Sequence, residues 1–251
     1  DTIITTPLIM NLKSQSCKVY YLGSETAQEV LKFNPNIDKF ILHVKDSIAS
    51  DKLGEYFESV KQAYECDVLI DLCESIEVNL ATYPSEPRDK LPKNEKRLSC
   101  DKNYYEETMD IAKIPRFKIV SGDIYGRQVN NWGSLNPEMY FSNEEDTDMR
   151  RWMSELNGNF VILWGLSGSA RQKTYPFVEE TINALNELYS NLIFITVGDE
   201  SCQILEYRIK NIPNVICKSG LWTIRQSILA AKYVNLVISP DTGLLHGYGC
   251  F

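Results

Sequence analysis

Histidine is almost missing from this chain: only His43 and His246 occur among 251 residues. The seven cysteines, at 17, 66, 73, 100, 202, 217 and 250, are odd in number, scattered, and never in a C-x-x-C pair. Without paired cysteines or spaced histidines there is no pattern for a zinc cage. Several cysteines lie inside apolar runs such as Cys66-Asp67-Val68-Leu69-Ile70, which suits reduced thiols used as small core residues in a cytosolic protein. Positive charge is also short: 26 Lys plus Arg against 34 Asp plus Glu leave a net charge of −8. That balance argues against a general nucleic-acid binder, while leaving room for a local basic pocket around one phosphorylated ligand. Long apolar runs are lacking as well. The longest, 160–166 and 192–197, fall far below the ~18–20 residues of a membrane span. No leader peptide is visible, but the chain opens on Asp1 rather than Met, so its absence carries no conclusion.

What is present is an alternation of helix-like and strand-like segments, 43% hydrophobic and 24% charged overall, as in ordinary globular proteins. The length suits one large or two medium domains. Helices are expected at 6–15, from Ser24 onward, and at 52–64. Strands are expected at 18–22, 39–44 and 67–72, the last a nearly continuous apolar run of the kind buried on both faces of a parallel sheet. Residues 84–97 form a loop rich in Pro and charge, 104–112 a helix, and 115–143 have no clear period. The inter-domain connection is expected at 137–148, separating an N-terminal domain (1–140) from a C-terminal one (148–251). The C-terminal part reads as strand 159–164, helix 175–189, strand 192–197, helix 201–210, strand 215–217, helix 223–231 and strand 236–239. Strands separated by helices in this way indicate a parallel, doubly wound α/β sheet. The helix opened by Asp241-Thr242-Gly243 reaches only Phe251, so the chain reads as a fragment truncated at both ends.

Two strand-to-helix junctions carry chemistry. The first, Gly165-Leu166-Ser167-Gly168-Ser169-Ala170-Arg171-Gln172-Lys173, offers small residues, two hydroxyls and two cations after a buried strand. That set suits a pyrophosphate at the carboxyl edge of an open α/β sheet, although the Walker A spacing is not met. It equally describes a connecting loop with solvated charges. In the second, Ser239-Pro240-Asp241-Thr242-Gly243-Leu244-Leu245-His246, Asp241 or Thr242 could simply cap the next helix. Alternatively Gly243 permits close approach of a ligand, and the Asp241 carboxylate accepts hydrogen bonds from sugar hydroxyls. Two such loops on one sheet edge suggest a nucleotide diphosphate held between them.

From Asp241 to His246 the chain resembles the D-T-G-[LP]-x-H signature of the ADP-heptose:lipopolysaccharide heptosyltransferases, glycosyltransferase family 9. The resemblance continues in Asp1-Thr2-Ile3-Ile4-Thr5-Thr6-Pro7-Leu8, in Asn34-Pro35-Asn36-Ile37-Asp38, in the strand ending at Leu72, and in the loop 164–176. Motifs recurring in this order make a strong pattern. The resemblance implies a GT-B fold, two Rossmann-like domains facing a cleft, and inverting sugar transfer from a nucleotide diphosphate with neither metal nor cofactor. It implies that Asp1 holds the position of the general base and that Ser167, Ser169, Arg171 and Lys173 meet the donor phosphates. Asp241 would bind the donor sugar, and the N–H groups of Thr242, Gly243 and Leu244 the pyrophosphate. Glu200 would reach the ribose, with Asp199 as competitor, and residues 218–221 would offer backbone groups to the base.

The expected partners are a nucleotide-diphosphate sugar, ADP-heptose favoured, and a lipid-linked saccharide acceptor; no nucleic acid is expected. Arg88, Lys90, Lys93, Lys96 and Arg97 suit an anionic acceptor and a peripheral contact with the inner face of the cytoplasmic membrane. They suit equally a solvated loop balanced by Glu86, Asp89 and Glu95. Alternatives to transfer are a GT-B nucleotide-sugar epimerase and a non-catalytic nucleotide-sugar-binding remnant. Ser-Gly-Ser-Ala at 167–170 and the unplaced stretch 123–139 depart from the family pattern, and bear on donor and acceptor more than on reaction type.

Overall fold

The computed structural model describes residues 2–44, 47–49, 52–67, 136–168 and 171–251. The expected strand at 67–72 beyond its first residue, the helix at 104–112, the loop 84–97 with its basic run, Cys73, Cys100, Asp1 and Ser169 lie outside these residues. The described residues divide into two compact units. One is drawn from Asp1–Thr6, Thr26–Asn36 and Asn136–Phe251, the other from Pro7–Glu25 and Ile37–Leu135. Among the described residues no helix is long and apolar enough to cross a membrane.

The second of these units holds most of helix α1 (Thr6–Ser14), strand β1 (Tyr20–Gly23), strand β2 (Lys39–Leu42) and helix α3 (Leu53–Ala63), α2 being introduced below. β1 and β2 pair in parallel, Tyr20 opposite Lys39 through Gly23 opposite Leu42. Asp38 fixes the start of this pair. Its carboxylate accepts from the Val19 N–H at 2.8 Å and from the Lys13 ammonium of α1 at 2.5 Å. Those bonds, the Lys13 one foremost, hold its carboxyl below the usual carboxylate range. The aspartate of the N-P-x-I-D turn therefore does structural work.

The first unit contains helix α2 (Glu25–Val30) over most of its length and a four-stranded parallel sheet of β3 (Phe160–Gly165), β4 (Leu192–Val197), β5 (Val215–Cys217) and β6 (Leu236–Ile238). The strand order is β5-β4-β3-β6. Side chains alternate across β3 with the period of two that a strand imposes. Val161 and Leu163 enter one core with Ile195, Val197, Ile228, Leu229 and Ala230. Ile162 and Trp164 enter another with Val178, Ile182, Phe194 and Ile209. Helices cover both faces: α5 (Val178–Leu188) and α6 (Gln203–Ile209) supply the second core, and α4 (Asn143–Ser154) and α7 (Ile224–Ala230) the first. This is why 160–164 and 192–197 are apolar without alternation.

Most expected elements are present within one to three residues of their expected ends. Helix α4 is an addition, since the sequence reading gave no element across 143–154. Ser142 caps it through a complete capping box: its hydroxyl accepts from the Glu145 N–H at 3.1 Å, and the Glu145 carboxylate accepts from the Ser142 N–H at 2.7 Å. Met149 and Met153 bury its inner face. The described cysteines, Cys17, Cys66, Cys202, Cys217 and Cys250, are free thiols. Burial pushes Cys202 up to about 11 and Cys250 to about 12, so both are inert as nucleophiles.

Candidate functional site

The strand order locates the site. From β3 the chain steps outward to β4 and β5, then returns to the other side of β3 as β6. The strand order therefore reverses between β3 and β6, where open α/β sheets bind ligands beyond the strands' carboxyl ends. The pairing Ile162–Leu236, Leu163–Val237 and Trp164–Ile238 brings the two following loops out side by side.

Contacts between these loops are close. The Lys173 ammonium donates to the main-chain carbonyl of Asp241 at 2.5 Å. A Cβ on Gly168 would stand 2.6 Å from the Thr242 methyl and 2.8 Å from Lys173 Cδ, so glycine is what lets the loops meet. A Cβ on Gly165 would stand 2.9 Å from Ser239 Oγ. Ser167 Oγ and Thr174 Oγ1 share a hydrogen bond of 2.7 Å, which closes the first loop on itself. By contrast, a Cβ on Gly243 would meet nothing within 4 Å, leaving that backbone open to a ligand.

The capping alternative for the second loop is not what the geometry shows. Thr242 occupies the N-cap of α8 (Gly243–Tyr248), but no side-chain cap bond is made. Asp241 instead projects outward, its side chain 76% exposed, with His246 Nε2 3.5 Å from Oδ1. The carboxylate is thus available to a ligand.

The candidate ribose and base region sits beyond β4 and β5. Asp199, the competitor to Glu200, is spent on local structure: its carboxylate accepts from the Ser201 hydroxyl at 2.5 Å and the Ser201 N–H at 3.0 Å. These bonds, the hydroxyl's first, lower its carboxyl from the ordinary value. Glu200 is exposed at the same turn. The loop 218–221 approaches it closely, since Gly220 has φ +68 and a Cβ there would lie 3.1 Å from Glu200 Cα. Only glycine accommodates both conditions.

Glu206, which the sequence reading did not single out, shapes this loop. Buried on α6, its Oε1 accepts from Thr196 Oγ1 at 2.6 Å and from the N–H groups of Lys218 and Ser219 at 3.2 and 3.0 Å. An acid inside a short amphipathic helix gives no sequence signal of such burial. Thr174 was likewise missed, although its place after Lys173 could have marked it as the hydroxyl partner of Ser167.

Of the remaining expected residues, Arg171 lies with Lys173 in a single 3-10 turn, Arg171–Lys173. Thr242, Gly243 and Leu244 stand together at the start of α8, with Lys173 on the neighbouring Asp241 carbonyl and Gly168 against Thr242. Glu200 belongs to the separate turn after β4. Asp1 and Ser169 lie outside the described residues. The residues next to Asp1 form a 3-10 turn, Thr2–Thr5, that packs on α8, with Ile3 in the same core as Tyr248.

Comparison of the sequence with protein-family models and with curated proteins gives no match. Solved structures do match. A glycosyltransferase family 9 protein from Veillonella parvula DSM 2008 superposes with TM-score 0.68 at 17% identity, over 98% of this chain and 74% of the other. ADP-heptose lipopolysaccharide heptosyltransferase II from E. coli superposes with TM-score 0.66 at 14% identity, over 99% of this chain and 78% of the other. The fold is that of family 9 glycosyltransferases. The likeness of fold thus extends across almost the whole chain, at identities of 14–17%.

Proposed function

We propose that this chain is an inverting glycosyltransferase that moves a heptose or related sugar from a nucleotide diphosphate, ADP-heptose favoured, to a lipopolysaccharide-type saccharide acceptor. The observation that carries the reading is the joining of two loops at the sheet's switch point by Lys173 and the Asp241 carbonyl. Lys173 keeps two further N–H donors on the same ammonium for a phosphate oxygen. Arg171 in the same turn adds a second cation, and Ser167 and Ser169 add hydroxyls. The N–H groups of Thr242, Gly243 and Leu244 take the pyrophosphate, Asp241 the sugar hydroxyls and Glu200 the ribose. Residues 218–221, shaped by Glu206, offer main-chain groups to the base.

In the reaction the acceptor hydroxyl oxygen attacks the anomeric carbon from the face opposite the nucleotide. The bond from that carbon to the phosphate oxygen breaks, and the acceptor proton passes to the Asp1 carboxylate. Lys173 and Arg171 stabilise the departing diphosphate by placing positive charge where negative charge develops. The division into an acceptor-side domain at 1–140 and a donor-side domain at 148–251, in a GT-B arrangement, belongs to the same proposal. So does a cytoplasmic location with a peripheral membrane contact through the basic run at 88–97.

The test is a comparison of two ligands by calorimetry. Asp241→Ala is expected to weaken binding of the nucleotide-diphosphate sugar more than binding of the bare nucleotide diphosphate. The side chain addresses the sugar, whereas the pyrophosphate is held by main-chain groups and Lys173. Equal losses for both ligands would remove the sugar-binding role. Lys173→Ala is expected to cost about 1.5–3 kcal/mol in affinity for ADP, the range for hydrogen bonds to charged groups. That loss shrinks as salt is raised, because the Lys173 ammonium makes its contact where solvent reaches it. A variant that binds ADP normally at low salt places the phosphate elsewhere.

A further inference from the structure

His246 is the one described side chain that an ion-pair distance joins to Asp241, Nε2 to Oδ1 being 3.5 Å. It lies five residues further on, one turn into α8, and is 29% exposed where Asp241 is 76% exposed. Its main chain is held from both sides. The His246 N–H donates to the Thr242 carbonyl at 3.2 Å, and its own carbonyl accepts from the Cys250 thiol at 3.7 Å. α8 packs on α7 and on the Thr2–Thr5 turn. The imidazole therefore rises from a fixed helix, while the carboxylate it faces sits on an exposed loop.

The Asp241 main chain is anchored separately by Lys173, through the carbonyl. That bond fixes where the residue is but leaves the side chain's rotation free. A free carboxylate must lose rotamer freedom when it meets a sugar, and this cost falls on binding.

We propose that His246 is the positioning residue for Asp241. An Nε2–H donated to Oδ1 holds the carboxylate in one rotamer, so that Oδ2 is presented to a hydroxyl of the donor sugar. Either the neutral Nε2–H tautomer or the imidazolium supplies this donor. In water the contact is weak, as exposed pairs are. Once a sugar covers the loop and excludes water, the same contact strengthens. His246 thus acts on the sugar and leaves the pyrophosphate contacts alone, which separates it from a residue that merely packs α8. This inference rests on the proposed role of Asp241 in binding the sugar.

The test measures ADP-heptose and ADP affinities for the wild-type chain, His246→Ala, His246→Gln, Asp241→Ala and the double variant His246→Ala/Asp241→Ala. His246→Ala is expected to weaken ADP-heptose about 3- to 10-fold, the range of one hydrogen bond, with ADP unchanged. Glutamine, whose amide nitrogen can reach the position of Nε2, is expected to restore most of the loss. In the Asp241→Ala background, removing His246 is expected to add nothing, because its partner is already gone. Equal losses for both ligands, no rescue by glutamine, or additive losses in the double variant would overturn the positioning role. Those results would leave Asp241 in place if its own substitution still affected the sugar ligand selectively. If Asp241→Ala shows no selectivity, the sugar-binding reading fails first and this inference with it. Should His246→Ala unfold the chain, the glutamine variant against asparagine decides. Asparagine is a side-chain atom too short and is expected to lose sugar affinity where glutamine keeps it; equal behaviour of the two would overturn the proposal.

Discussion

Replacing Arg225 by methionine lowers the free energy of unfolding by about 3–5 kcal/mol, the usual cost of removing one partner of a buried ion pair. Arg225 is only 2% exposed, although it is charged and lies on the short helix α7. Its guanidinium forms a fork on Glu145, Nε to Oε1 at 2.6 Å and Nη2 to Oε2 at 2.8 Å. The remaining protons reach the main-chain carbonyls of Tyr140 at 2.7 Å and Glu29 at 3.1 Å. The ring of Phe141 lies beneath it with its centroid at 4.7 Å. One side chain thereby ties α4, α7 and the end of α2 together, and methionine would leave the Glu145 carboxylate with only the Ser142 N–H and two carbonyls without their guanidinium donor. Lysine would recover only part of the loss, since it cannot reproduce the fork.

The same pair sets an acid limb. Bonding to Arg225, first among the causes, draws the Glu145 carboxyl down from its ordinary 4.5 to about 2. A depressed carboxyl contributes stability that is complete above the unfolded value and is lost as pH falls from about 4.5 towards about 2. Wild-type unfolding midpoints in urea are therefore expected to fall across that window, and Arg225→Met to flatten the fall. Some acid dependence survives through Asp146, which Lys232 and Tyr233 hold at about 2. A methionine variant with the wild-type midpoint and pH profile would show that the clamp contributes nothing net.

Neither Arg225 nor α4 was legible in the sequence, for a shared reason. Glu144, Glu145 and Asp146 crowd the first turn of α4, so the segment has the composition of a charged linker. Its identifying feature is the Ser142-to-Glu145 capping spacing, confirmed only by the burial of Met149 and Met153. An arginine in the first turn of a seven-residue helix reads as solvated, and only tertiary packing reveals its burial. By contrast β3 and β4 were legible because strands buried on both faces must be apolar throughout. The two loops were legible as small residues and cations following such strands. Their contact was not, because 68 positions separate Lys173 from Asp241 and only the placement of β6 beside β3 unites them. Sheet order is a property of the whole fold and leaves no local mark in composition or period.

The largest effect is expected at Asp1. In a preparation that transfers the sugar, Asp1→Asn depresses turnover by about 10²–10⁴-fold, the usual contribution of a positioned acid or base. Asparagine keeps the shape and can accept a hydrogen bond, but it cannot take the proton as the acceptor hydroxyl attacks. What supports the assignment is the turn that follows. Thr5 Oγ1 donates to the Thr2 carbonyl at 2.7 Å, and Thr6 Oγ1 to the Ile3 carbonyl at 2.8 Å. Ile3, 3% exposed, shares a core with Tyr248 of α8, the helix that starts just after Asp241. A base must be held within reach of the anomeric carbon, and a segment knitted to that helix has the rigidity this demands. Donor affinity is expected to change little, since the proposed base would address the acceptor and not the nucleotide. Loss of turnover together with loss of ADP-heptose binding would mean that Asp1 serves the donor instead. Near-full turnover in the asparagine variant would remove Asp1 from the mechanism, and the proton would then have to leave through another carboxylate within reach of the acceptor.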